Sequence, residues 1–315
     1  MTTTNLQFEL PRAQSLVPAS ESPDETPTES RAATARDEVE LPLTRVVAQQ
    51  GWQPVNFREL WGFRELLYFF AWRDVKVRYK QTLLGASWAV LQPAMMMIVF
   101  TIFFGRLAKV PAGPLPYPLF VYMGLLPWTF FATAIANAGN SVVGSERLIT
   151  KVYFPRLSIP FASVGAAIVD FFIAFVLMII LMIVYGVAPG ARILAVVPIV
   201  LCISLMAAGM GTFLAALNVA YRDFRYVIPF MVQVWLFATP TIYMQPEGSV
   251  GRLSGINLLL SLNPMTGLVA AFRAACSGGS LPWTQLAGSA LISVAVFLAG
   301  CLYFRRMERH FADII

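Results

Sequence analysis

Ile159–Tyr185 reads IPFASVGAAIVDFFIAFVLMIILMIVY, and this stretch decides the fold class. As a helix rising 1.5 Å per residue it extends about 40 Å, more than the roughly 30 Å hydrocarbon core of a bilayer. One charged residue, Asp170, interrupts it. An aspartate at a helix centre costs about 3 kcal/mol, whereas each Leu, Ile, Val or Phe returns about 0.3–0.6. Sixteen such residues stand in the stretch, so insertion remains favourable.

Outward from it, Leu83–Phe104, Tyr117–Ala138, Ile193–Leu217, Tyr226–Tyr243 and Trp283–Phe304 are also long and apolar. The sequence is 57% hydrophobic and 13% charged, with a mean hydropathy of +0.67. Soluble domains use about 25% charged residues, so a soluble enzyme is excluded and an all-α integral membrane protein of six transmembrane helices is predicted. Between the fifth and sixth spans lies another apolar tract, Ile256–Ala275, broken at Asn263-Pro264 and followed by Gly278-Gly279. Each half is too short to cross, so the tract reads as re-entrant helices in the outer leaflet. A seventh span is the competing reading, and it would move the C-terminus outside.

Charge separates the two. With six spans the cytoplasmic side carries Arg58, Arg64, Arg73, Lys76, Arg78, Lys80, Arg147, Lys151, Arg156, Arg222, Arg225, Arg305, Arg306 and Arg309. The opposite side carries Arg106, Lys109, Arg192, Arg252 and Arg273. Fourteen against five is the bias of cytoplasmic loops, so both termini are expected in the cytoplasm.

Residues 1–50 are rich in Ser, Thr, Pro and Glu without an apolar period, and read as a disordered extension with no signal peptide. Residues 51–82 follow as an amphipathic interface helix. Phe57, Trp61, Tyr68, Trp72, Val75 and Tyr79 form one stripe, with Arg58, Glu65, Arg73, Lys76 and Lys80 on the other side. Residues 83–304 are then the membrane domain and 305–315 a cytoplasmic tail.

The net charge of +6 belongs to topology and to lipid headgroups, because the basic residues are scattered among spans and gather in no patch for nucleic acid. Cys202, Cys276 and Cys301 have no metal-ligand spacing, and His310 is the single histidine. No metal or cofactor site is expected on this chain.

Four features are candidates for function. The loop Gly144–Pro160, GSERLITKVYFPRLSIP, mixes charges with Leu148, Ile149, Val152, Tyr153 and Phe154, and either docks a cytosolic partner or rests on lipid. Asn218–Pro229, NVAYRDFRYVIP, is equally open between a partner and the neighbouring loop. Asp170 is an intramembrane acid and thereby a functional candidate, but without a second acid, His or Lys in the spans as a relay partner it suits a structural bond to a neighbouring helix better than proton coupling. Trp88 and Phe100 in the first span, and Trp235 and Tyr243 in the fifth, line a channel or pack against lipid. Aromatic faces hold sugar rings loosely, as a sliding polymer requires.

WRDVKVRYKQTLLGASWAVLQP (Trp72–Pro93), GLLPWTFF (Gly124–Phe131), SERLITKVYFPRLSIP (Ser145–Pro160), NVAYRDFRYVIP and SLNPMTGLV (Ser261–Val269) resemble successive blocks of ABC-2 type polysaccharide export permeases. The resemblance runs from about residue 55 to the end, in family order, and is closest to the O-antigen type. It implies a homodimeric permease, bound to two copies of a separate nucleotide-binding ATPase, that moves a lipid-linked polysaccharide across a bacterial inner membrane. Capsule, teichoic acid or a smaller lipid or drug are alternative cargoes.

By position the resemblance makes 144–156 the coupling helix, with Glu146, Arg147, Lys151, Tyr153, Phe154 and Arg156 facing the ATPase. It places Trp61, Tyr68, Trp72, Arg73, Arg78 and Tyr79 at the pore entrance, and makes 256–275 the outer gate. No Gly-x-x-x-x-Gly-Lys-Ser/Thr loop is present, so ATP and Mg belong to the partner and the chain is not catalytic alone. A secondary transporter would show internal repeats around paired ionisable groups, and a membrane glycosyltransferase would show clustered acids; neither pattern is found.

Overall fold

The computed structural model of the protein describes residues 57–80, 85, 87–111, 113–151, 154–243, 262–308 and 311. The expected extension 1–50, Tyr153 and the first part of the outer tract, 256–261, lie outside the described residues. Among the described residues all regular structure is helical. In chain order the helices are α1 (Phe57–Gly62), α2 (Arg64–Lys80), α3 (Ser87–Phe100), α4 (Tyr117–Gly144) and α5 (Glu146–Ile149). They continue as α6 (Ser158–Val184), α7 (Val196–Ala220), α8 (Phe224–Phe237), α9 (Pro264–Ser277) and α10 (Trp283–Met307).

Five helices are long and apolar enough to cross a membrane: α3 with its π-helical continuation to Leu107, α4, α6, α7 with its 3-10 lead from Ala191, and α10. The chain is a multi-pass membrane protein. The expected fifth span, Tyr226–Tyr243, differs. Its helix α8 has 14 residues, about 21 Å, and stops at Phe237. Pro240 accounts for the stop, because it lacks an N–H and disfavours helical geometry in the residue before it. Thr239–Ile242 continue as buried, non-helical chain. Irregular backbone at membrane depth persists only where protein satisfies its polar groups. Here Arg273 of α9 donates to the carbonyl of Pro240 at 2.9 Å and to that of Thr241. The Tyr117 hydroxyl donates to the Ile242 carbonyl at 3.0 Å.

The core is built around α4, which packs against α3, α6, α7, α8 and α9 and buries residues all around its circumference. Tyr122, fully buried, donates to the Ala174 carbonyl of α6 at 2.9 Å. Where α7 meets α10, glycine lets the backbones touch. A β-carbon on Gly300 would run into the Gly209 carbonyl, the close approach that small residues permit between membrane helices.

A second apolar cluster contains Phe70 of α2, Val142 of α4, Ile149 of α5, Phe154, Leu157 and Val219 of α7. Phe304 of α10 and Phe311 belong to it as well. It thereby brings α2, the α4–α6 connection and the end of α10 to one end of the molecule.

This cluster revises the expected two-sided pattern of the interface helix. Of the expected stripe, Trp61, Tyr68 and Trp72 are exposed, whereas Val75 and Tyr79 are half-buried, and the side of α2 turned inward is not its charged side. Phe70 is buried there, with Phe63, Leu66 and Ala71 packed against the cluster. The helix therefore has an inner face for protein, apolar at Phe70 and Ala71 and polar at Asp74 and Arg78, and an outer aromatic face. It runs alongside the first half of α6. Ala71 faces Gly165, the Ser163 hydroxyl lies 3.4 Å from an Asp74 oxygen, and Arg78 and Tyr79 reach Asp170.

Candidate functional site

Asp170 stands twelve residues into α6, about 18 Å along it. Its carboxylate accepts from the Arg78 guanidinium on one oxygen and from the Tyr79 hydroxyl on the other. Arg78 and Tyr79 lie in the last turn of α2, and both side chains are partly buried where α2 leaves α6. Burial raises the Tyr79 phenol above its ordinary pKa, with Arg78 pulling the other way. The hydroxyl stays protonated at neutral pH and remains a donor to Asp170.

The pair closes one side of a cavity of about 330 Å³. Trp88 and Gln92 of α3, one helical turn apart, form a second side. Thr129, Thr133 and Asn137 of α4 form a third, spaced four apart and so stacked on one helix face. Phe130 of α4 and Phe171 of α6 supply aromatic surface. The amide nitrogen of Asn137 is buried without a hydrogen-bond partner among the described residues.

Arg78 and Asp170 cancel in charge, so the cavity offers hydroxyl and amide groups beside aromatic faces. That surface suits a ligand with apolar ring faces and many hydroxyls better than an anion. Four of the residues expected from sequence, Arg78, Tyr79, Trp88 and Asp170, meet here although they came from three separate readings. Thr129, Thr133 and Asn137 went unnoticed. Their signal was the four-residue period of polar side chains inside an apolar span.

The other expected residues are placed elsewhere. Phe100 is buried beside Phe104, with ring centroids 5.8 Å apart. Trp235 packs edge-on against Phe131 at 5.2 Å and Trp128 at 6.4 Å, and its indole donates to Asn263 Oδ1 at 3.1 Å. Tyr243 is half-buried and points its hydroxyl at the Phe237 carbonyl, 3.4 Å away. Trp88 is exposed, while Phe100 and Trp235 are turned into the chain's own packing.

Asn263 organises the α8–α9 junction. As N-cap of α9 it accepts from the Met265 N–H at 3.1 Å, and its amide donates to Thr239 Oγ1 at 2.9 Å and to the Ala238 carbonyl at 3.1 Å.

In the coupling segment, Glu146, Arg147 and Lys151 are exposed. Phe154 is not: it is 5% exposed, edge-on to Phe70 at 5.5 Å. Its expected role as an anchor for a partner is corrected accordingly, since a ring buried in the chain's own cluster presents no face outward. Arg156 is also drawn inward. It donates to the Glu308 carbonyl at 2.6 Å, with its Nε 4.0 Å from the Glu308 carboxylate. Arg73 pairs with its neighbour Asp74 at 2.9 Å and lies over the Phe70 ring.

The profile of the ABC-2 type transporter family matches residues 65–277 of this chain. An O-antigen export system permease protein of Myxococcus xanthus is 31% identical over 261 residues, which cover 82% of this chain and 98% of that protein. An O-antigen export system permease protein of Klebsiella pneumoniae is 24% identical over 255 residues, or 80% of this chain and 95% of its own length. The matched span contains α2, the cavity, the coupling segment and α9.

Proposed function

The chain belongs to the ABC-2 type transporter family, and from that premise we propose that it is the membrane subunit of an ATP-driven exporter of a lipid-linked polysaccharide, an O-antigen chain foremost. The observation that carries the proposal is the likeness to O-antigen export permeases over nearly their whole length. The cavity, where the Arg78–Asp170 pair leaves no net charge beside hydroxyl, amide and aromatic groups, adds chemical support, because such a surface holds sugar rings through several weak contacts in place of a few tight ones. Two copies of the chain form the passage in the bacterial inner membrane, and two ATPase subunits with ATP and Mg dock on Glu146, Arg147 and Lys151.

In this reading the membrane is crossed six times. The end of α7 and the end of α10 lie in the same apolar cluster as α2 and the coupling segment. With these ends on one side, the proposed path crosses once between them before α10 crosses back, through α8 with its irregular continuation and α9. Both termini and the coupling segment then share the cytoplasmic side.

Deleting the gene is expected to remove long-chain polysaccharide from the cell surface while lipid-linked polymer accumulates inside, with the full chain restoring both. Normal surface polymer in the deletion strain refutes the reading.

A further inference from the structure

Arg156 and Phe154, which the sequence presents as surface residues of the coupling segment, both point into the protein. What they meet differs. Phe154 meets α2, whereas Arg156 meets the chain just beyond α10. Its guanidinium donates to the Glu308 carbonyl at 2.6 Å and stands 6.0 Å from the centre of the Phe311 ring. Phe311 is fully buried, edge-on to Phe304 of α10 at 5.3 Å.

We propose that Glu308 and Phe311 form a clasp that holds the coupling segment through Arg156, making the tail a positioning element for energy coupling. The inference rests on the proposed function. The geometry gives the clasp its leverage. Arg156 lies between the exposed face of the segment and the start of α6, so a displacement at Arg147 or Lys151 reaches α6 through a residue fastened to α10. Without the clasp the segment keeps its exposed charges, and its hold on the ATPase, but moves without carrying α6 and α10 with it.

The test uses the full chain with its ATPase in cells and in inverted membrane vesicles. Three quantities are read: ATPase retained on the membrane, ATP hydrolysed, and polymer reaching the surface. Phe311→Ala and Arg156→Gln are expected to keep the ATPase bound and hydrolysing, while export per ATP falls by about 2- to 30-fold, the range for residues that modulate coupling without touching ligand. Arg156→Lys, which retains a charged donor for the carbonyl, should recover most of the loss. Because both residues act through one clasp, the double variant should be no worse than the poorer single one.

Export per ATP at the wild-type ratio in Arg156→Gln overturns the proposal, as do losses that multiply in the double variant. If Phe311→Ala fails to accumulate in the membrane, the comparison of Arg156→Gln with Arg156→Lys decides alone. A wild-type chain that retains no ATPase would instead end the functional reading itself.

Discussion

At the scale of single residues, Asp170 shows what a sequence reveals about a polar group in a span and what it withholds. Its being charged within an apolar stretch was legible, and so was its need for a partner. The partner was not, because Arg78 is 92 positions away on a helix whose placement against α6 depends on Phe70 finding an apolar cluster. Local spacing has no access to such a pairing. Similarly, Phe154 sits among charges in sequence and reads as exposed, yet it is buried edge-on against Phe70 of α2 within the second apolar cluster. Asp170→Ala should remove the acceptor shared by Arg78 and Tyr79 and cost about 2 kcal/mol, the scale of a hydrogen bond to a charged group. Asp170→Asn, keeping an acceptor for Tyr79, should cost less. Thermal unfolding in detergent checks the order, and an Asp170→Ala protein as stable as wild type would mean that the Arg78 and Tyr79 bonds contribute nothing net.

At the scale of elements, four of the six expected spans correspond in outline to long helices, because runs of more than twenty apolar residues leave a helix few alternatives. The first span is long enough only with its π-helical continuation, and the fifth is cut short. Pro240 was visible in the sequence. What was not visible is that buried donors wait for the carbonyls of the non-helical chain from Pro240 to Ile242. Arg273, counted from sequence as a charge of an outer loop, is one of them, stacked 3.9 Å above the centre of the Phe120 ring. Asn263 is the other pin. Its amide uses both acceptor sites and both donor hydrogens, joining Trp235 and Thr239 to the start of α9. Asn263→Ala removes all of these at once and leaves the Trp235 indole without this acceptor. Amide hydrogen exchange should then quicken through the first turns of α9 and the last turn of α8 by an order of magnitude or more, with α4 and α6 keeping their protection. Unchanged exchange in α9 would show that Arg273 holds the junction without Asn263.

At the scale of the whole molecule, the number of crossings hangs on α8. Five crossings would leave the two ends of the chain on opposite sides of the membrane; six leave them on the same side. The apolar cluster that joins Phe70, Phe154 and Phe304 gathers α2, the coupling segment and the end of α10, and in the proposed topology it places them on one side. The distribution of basic residues asks for the same side, since Arg305 and Arg306 follow the last span as Lys76 and Arg78 precede the first. Packing and charge are independent in origin, one set by apolar contact and the other by the insertion machinery, and the proposed topology uses both. Single cysteines placed at Lys151, Arg225 or Arg306 of a version lacking Cys202, Cys276 and Cys301 should therefore resist an impermeant thiol reagent in intact cells and react once the membrane is opened. A cysteine at Gly113, in the connection between α3 and α4, should react from outside at once. Labelling of residue 306 from outside with residue 151 still shielded would put an odd number of crossings between them, and the short α8 would then be a helix that enters the membrane and returns on the side it came from.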